Sequence, residues 1–171
     1  MMPVNLRLSG IILLTVALTA CGFQLRGTRS GAIAPAYQAM RVDEGGLKGS
    51  LVSSMLQNAL VERAGVSLSD KKNAASLKLK SELMERRVLS VNPLTGTATD
   101  YVLVYRLTYQ LDGADGKAVI PPQAVYAQQD FRYDSRDALG MSRQEEALQE
   151  QLRATVVDQV IARLIHLRTE P

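Results

Sequence analysis

Tyr101-Val102-Leu103-Val104-Tyr105-Arg106-Leu107-Thr108-Tyr109-Gln110-Leu111 is the stretch that decides the fold. Tyrosine and leucine alternate through Tyr101, Leu103, Tyr105, Leu107, Tyr109 and Leu111, while Val102, Val104, Arg106, Thr108 and Gln110 take the positions between. A period of two puts the first set on one face of a β-strand and the second on the other. The tyrosine–leucine face needs a second layer to cover it, which excludes a lone helix bundle. A stripe of this kind reads as core packing with wet phenol tips. Left exposed, it would suit contact with another protein, because aromatic residues are enriched at interfaces.

Downstream, residues 112–116 (Asp-Gly-Ala-Asp-Gly) are a turn, Pro121-Pro122 delay the next strand, and residues 125–133 supply it. Upstream, residues 92–97 hold Pro93 and Gly96 and read as a turn. Residues 76–91 before it alternate through Leu77, Leu79, Ser81 and Leu83; residues 82–88 also admit a helical reading, but the alternation favours a long strand with a bulge near Glu85–Arg87. The period changes on either side of these three strands. Leu47, Leu51, Met55 and Ala59, with Val52, Leu56 and Leu60, recur at helical spacing and end at Gly65, a capping glycine. Ser142-Arg143-Gln144-Glu145 is a capping box, followed by Leu148, Leu152, Val156, Val160 and Leu164 on one helical stripe. Residues 37–42 alternate weakly as a first strand. The order β-α-β-β-β-α predicts an α+β two-layer sandwich, a four-stranded mixed sheet with two helices on one face. The last three strands form an antiparallel meander, and the helical crossover leaves the first two strands parallel or separated.

The N-terminus has a different character. Arg7 is the single charge of residues 1–7, residues 8–18 are an apolar run of eleven, and the small Thr19 and Ala20 precede Cys21, the chain's only cysteine. A charged start, a short apolar run and a small-residue exit describe a secretory signal peptide over residues 1–20. A bilayer span needs about 20 apolar residues, so the run is not a transmembrane anchor. Leu18-Thr19-Ala20-Cys21 resembles the lipobox of bacterial lipoproteins, in which the cysteine is acylated and becomes the new N-terminus. In that pattern an aspartate after the cysteine favours the inner membrane; Gly22 stands there, which points to the outer membrane. Residues 21–36, with Gly22, Gly27 and Gly31 among Ser, Thr and Arg, read as lipidated cysteine and flexible tether. Residues 37–171 are then one globular domain. At 46% hydrophobic and 22% charged the chain is composed like a folded protein, and a formal net charge of +3 makes no case for nucleic-acid binding.

Catalytic chemistry is poorly represented. His166, the single histidine, sits where a helix-end residue near the negative pole of the dipole is expected. Zinc sites need clustered Cys and His, which the chain lacks in number, and there is no Gly-rich phosphate loop or serine elbow. The carboxylate pairs Glu145-Glu146 and Asp134 with Asp137 fall at a helix start and in the turn before it, both ordinary structural places. The expectation is a protein that is not an enzyme and holds no metal or cofactor.

The start Cys21-Gly22-Phe23-Gln24-Leu25-Arg26-Gly27 and the segment Tyr133-Asp134-Ser135-Arg136-Asp137-Ala138-Leu139-Gly140 resemble the LptE family, lipopolysaccharide-assembly lipoproteins of the Gram-negative outer membrane. Glu145-Glu146 and the spaced aliphatics after them continue the likeness, which covers the mature chain. The resemblance implies a plug inside the outer-membrane β-barrel LptD that supports the barrel's assembly and helps deliver lipopolysaccharide to the outer leaflet. It also implies binding of lipopolysaccharide, an anionic amphiphile whose phosphates call for Arg or Lys. Candidates are Arg86 and Arg87 near the end of the second strand, Arg132 and Arg136 around the last strand, and Arg143 at the helix start. For each, the alternative is a solvated surface arginine. The turn 92–97 carries no basic residue, so a basic hairpin tip is missing there. Two competing readings keep the envelope location: an auxiliary lipoprotein of an ABC-type lipid transporter, and a periplasmic cell-wall or lipid hydrolase.

Overall fold

Three long strands carry the molecule, and the computed structural model, which describes residues 33–167, shows them as one meander. In chain order the elements are β1 (Ala39–Asp43), α1 (Leu51–Ala64), β2 (Ser67–Leu68), β3 (Ala75–Val91), β4 (Ala98–Asp112), β5 (Ala118–Arg132) and α2 (Ala138–Ile165). The sheet order is β2-β1-β3-β4-β5. β1 runs parallel to both β2 and β3, while β3–β4 and β4–β5 are antiparallel. The α+β sandwich stands with five strands in place of four. The extra strand is two residues long, too short for any periodicity, and only its pairing with Ala39 and Met40 makes it visible.

The tyrosine–leucine face of β4 is the core face. Leu103, Leu107, Tyr109 and Leu111 are fully buried and Tyr105 nearly so, against Leu56 and Leu60 of α1 and Val156, Val160 and Leu164 of α2. Val102 and Val104, on the other face, are buried as well. Register explains it: Arg87 and Asp130 flank Val102, and Glu85 and Gln128 flank Val104, so the stems of long polar side chains can shield the valines from both sides.

Local chemistry sets the helix ends. Ser50 caps α1 by accepting from the Ser53 N–H at 3.3 Å, and Gly65 ends it in the left-handed region at φ +67°. Leu47 lies outside the helix in a 3-10 turn and Leu51 is half exposed, so the buried stripe of α1 is Val52, Leu56, Ala59 and Leu60. In α2 the stripe falls as expected, but the helix starts four residues before Ser142. Asp137 is its N-cap, accepting from the Gly140 N–H at 3.1 Å, and the Ser142 hydroxyl turns back to the Ala138 carbonyl inside the helix.

Two strand details also differ from expectation. The irregularities of β3 fall at Leu79–Ser81 and Val88–Val91, not at Glu85–Arg87. β5 starts at Ala118 and runs through Pro121-Pro122, which occupy a register shift between the Leu111–Ile120 and Tyr109–Gln123 pairs. β5 is an edge strand with a bulge at that point, so two missing N–H donors are tolerated there.

The signal peptide, Cys21 and most of the proposed tether lie outside the described residues. Ile33 is the exception at its end: it is 1% exposed and its N–H donates to the Ala64 carbonyl at 3.3 Å, so packing of the domain reaches back to this residue. No described helix is long and apolar enough to cross a membrane.

Candidate functional site

At the β3–β4 turn the two strands outrun the core. Asn92 organises the turn: its side chain accepts from the Leu94 N–H at 2.8 Å and the Thr95 N–H at 3.3 Å, while its backbone pairs with Thr97 and Gly96. Gly96 sits at φ +66°, a conformation glycine takes without steric cost. Beside the turn, β5 ends at Arg132 and the chain passes through Tyr133, Asp134 and a 3-10 turn (Ser135–Asp137) into α2. Between the two segments lies a cleft of about 600 Å³, lined by Asn92, Thr95, Thr97, Thr99 and Asp100 on one side and Arg132, Tyr133, Asp134 and Arg136 on the other.

The polar wall is tied together. Ser90 and Thr99 hydroxyls and the Arg132 guanidinium all converge on Asp100, with Thr99 Oγ1 at 3.0 Å and Arg132 Nε at 3.1 Å. These donors hold the Asp100 carboxyl below its ordinary pKa, with the Ser90 hydroxyl the largest cause, then Arg132 and Thr99. Arg132 keeps 83% of its side-chain surface exposed even while its Nε is paired with Asp100, and no other hydrogen bond of its guanidinium is made among the described residues. On the segments that adjoin the cleft in sequence, Leu94 at the turn's tip is 93% exposed and Leu139, in the first turn of α2, is 67% exposed. The lining balances Arg132 and Arg136 against Asp100 and Asp134, and the exposed guanidinium of Arg132 gives the cleft hydrogen-bond donors for an anionic group.

The five arginine candidates separate. Arg132 and Arg136 share the cleft. Arg86 sits on the core side of β3, paired with Glu145 at 3.0 Å and stacked 4.8 Å over the Tyr101 ring, which meets Tyr133 edge-on at 5.9 Å. Arg87 is on the opposite sheet face, paired with Glu85 at 2.7 Å. Arg143 is exposed on α2 and has no ion-pair partner among the described residues. Glu145, expected in a first helical turn, lies two turns into α2 and holds Arg86. Sequence reasoning passed over Asn92, Thr95, Thr97, Thr99 and Asp100; the alternation of three threonines into an aspartate was the available signal. Among the described residues no group of three His, Cys, Asp or Glu is placed to hold a metal ion.

The family model for lipopolysaccharide-assembly, LptE, matches residues 37–164. The chain belongs to the LptE family. Solved structures agree in fold. The lipoprotein B from Nitrosomonas europaea matches with a TM-score of 0.68 at 20% identity, covering 82% of this chain and 88% of that one. Rare lipoprotein B from Shewanella oneidensis gives 0.63 at 22% identity over 72% of this chain and 91% of its own. The minor lipoprotein from Acinetobacter baumannii gives 0.63 at 21% over 75% and 91%. No curated protein matches the chain. The LptE match spans every described element from β1 to α2 and both walls of the cleft, so the domain as a whole is that of a lipopolysaccharide-assembly lipoprotein family of the cell envelope.

Proposed function

We propose that this LptE-family protein is exported by residues 1–20, anchored through acylated Cys21 to the outer membrane on its periplasmic side, and acts as plug and assembly partner of the barrel LptD. In this reading it is a binding and scaffolding protein and not an enzyme, with residues 21–32 joining anchor to domain. The observation that carries the reading is the family match over residues 37–164. In this reading lipopolysaccharide puts its phosphates on Arg132 and Arg136, which share the cleft, and its acyl chains along the exposed Leu94 and Leu139. The other three arginines play lesser parts. Arg86 braces the cleft through Tyr101 and Tyr133, and Arg87 and Arg143 stand apart from it.

Affinity purification of the lipidated protein from detergent-solubilised outer membranes tests the partnership. Recovery of a large β-barrel at equal stoichiometry supports it; recovery of transporter subunits would favour the ABC-type reading instead. For the ligand, Arg132→Ala with Arg136→Ala removes two charge-assisted hydrogen-bond donors, each worth about 1.5–3 kcal/mol. Lipopolysaccharide binding measured by calorimetry should weaken at least tenfold, and dephosphorylated lipopolysaccharide should no longer distinguish variant from wild type. Undiminished binding would move the ligand elsewhere.

A further inference from the structure

Strand pairing leaves two long edges of the sheet open, and the sequence guards only one of them throughout. β1 pairs with β3 as far as Asp43 and Lys78, so from Leu79 onward β3 has no strand neighbour on that side among the described residues. That edge is broken by register shifts at Leu79–Ser81 and Val88–Val91 and carries five charges, Lys80, Glu82, Glu85, Arg86 and Arg87. Bulges and charged side chains are the devices that stop an edge from taking on another strand. β5 uses Pro121-Pro122 and their register shift to the same end, but only over its first part. From Gln123 to Phe131, about 30 Å of strand, there is no proline, glycine or register shift, and Asp130 is the only charge.

The register fixes which backbone groups of this stretch face outward. The Tyr133 N–H donates to the Thr99 carbonyl at 2.8 Å, which makes Asp100 and Arg132 a pair that exchanges no hydrogen bonds of its own. Pairing runs without a shift from there to Tyr109 and Gln123, so Ala124, Tyr126, Gln128 and Asp130 turn N–H and C=O away from β4. Two side-chain contacts agree. The Tyr126 carbonyl accepts from Gln159 Nε2 of α2 at 3.3 Å, and the Asp130 carbonyl accepts from Gln129 Nε2 at 3.2 Å. Amide donors thus already occupy two of these acceptors, as the N–H groups of an added strand would. The N–H groups of Tyr126, Gln128 and Asp130 meet no acceptor among the described residues. They recur about every 6.8 Å, the repeat of an extended backbone. On the sheet face away from the helices, Tyr126 is 59% exposed and Asp130 is exposed beside it.

We infer that residues 123–131 accept an extended segment of the partner polypeptide as a sixth strand, with an apolar or aromatic side chain beside Tyr126 and a basic one beside Asp130. That the partner is the barrel rests on the proposed function. The strands of a closed barrel are all paired, so the segment is one that projects into its lumen. The test uses the full lipidated protein, alone in detergent and in the complex purified with its barrel, with amide hydrogen exchange read residue by residue. The amides of Tyr126, Gln128 and Asp130 should exchange about tenfold more slowly in the complex. Those of Ala127 and Gln129, already bonded to β4, should not change. Unchanged exchange of the first set in the intact complex, or equal slowing of both sets, overturns the inference. Two variants at one position give a second readout. Gln128→Pro removes an outward donor at an edge, where proline is tolerated, and Gln128→Ala keeps that donor. The proline variant should recover about tenfold less barrel than wild type, and the alanine variant an equal amount. Equal losses from both would assign the contact to the side chain and overturn the strand pairing. A wild-type protein that purifies without a barrel refutes the proposed function and the strand donor with it, so the two failures are distinguishable.

Discussion

Leu107 and Leu83 are both leucines in long antiparallel strands, on β4 and β3, and the sheet separates them completely: Leu107 is 0% exposed on the face packed by the helices, Leu83 is 53% exposed on the other. Leu107→Ala deletes three buried carbon groups at about 0.8 kcal/mol each, or about 2.4 kcal/mol of transfer free energy. It also leaves a void in a central strand held by partners on both sides, Glu82 on β3 and Val125 on β5, so the backbone cannot collapse into it. An unfilled volume of about 50 Å³ at about 24 cal/mol per Å³ adds about 1.2 kcal/mol. The expected loss is therefore about 3.5 kcal/mol. Leu83→Ala gives up only half-exposed surface and should cost under about 1 kcal/mol. Urea denaturation followed by circular dichroism separates the two, as a lowered midpoint with unchanged slope for Leu107→Ala and little movement for Leu83→Ala. Equal losses would mean that the outer sheet face is packed as tightly as the inner one. A loss under about 1 kcal/mol for Leu107→Ala would put the helices on the wrong face.

Three further outcomes follow from individual residues. Tyr105 donates to Glu82 at 2.8 Å, and burial first, then that carboxylate, pushes its phenol well above the ordinary value. A raised folded pKa gives stability that is complete below about pH 10 and lost above it, so wild type should weaken in alkali by more than Tyr105→Phe does, as urea midpoints on both sides of that pH would show. Ser90→Ala removes the largest influence that depresses the Asp100 carboxyl, a group whose contribution is present above the ordinary carboxylate range and lost as pH falls through its folded value. NMR titration of Asp100 should move upward towards the ordinary carboxylate range, and an unmoved curve would assign the depression to Arg132 and Thr99. Gly65→Ala forces a side chain into φ +67° at the close of α1 and should cost about 1 kcal/mol, whereas Gly46, at ordinary φ and with open space around it, should accept alanine without loss in the same thermal melt.

Legibility followed distance along the chain. The stripe of α2 from Leu152 to Leu164 and the alternation of β4 were readable because their periods are imposed by local backbone geometry. The start of α2 was not, because Asp137 and Ser142 both carry side chains able to cap, and the choice turned on partners: Ser142 back-bonds within the helix and Glu145 is drawn to Arg86, 59 positions away. Pro121-Pro122 read as a break because the strand's place at the sheet edge, where donors are dispensable, is a property of pairing order. The same holds for the cleft. Arg132 and Arg136 were visible as candidates, but Asn92, Thr95, Thr99 and Asp100 become their opposite wall only when β4 and β5 pair Asp100 with Arg132.

Residue order alone determined the two amphipathic helices, the long central strand and the scarcity of catalytic groups, since each is written in a window of a few turns or a few residues. Tertiary structure decided the fifth strand, the burial of Val102 and Val104 on the nominally open face, the pairing of Arg86 with Glu145, and the meeting of Arg132 and Arg136 with Asn92, Thr99 and Asp100 in one cleft. Those depend on which strand lies beside which, and strand order is set by the burial of whole faces and not by any local preference.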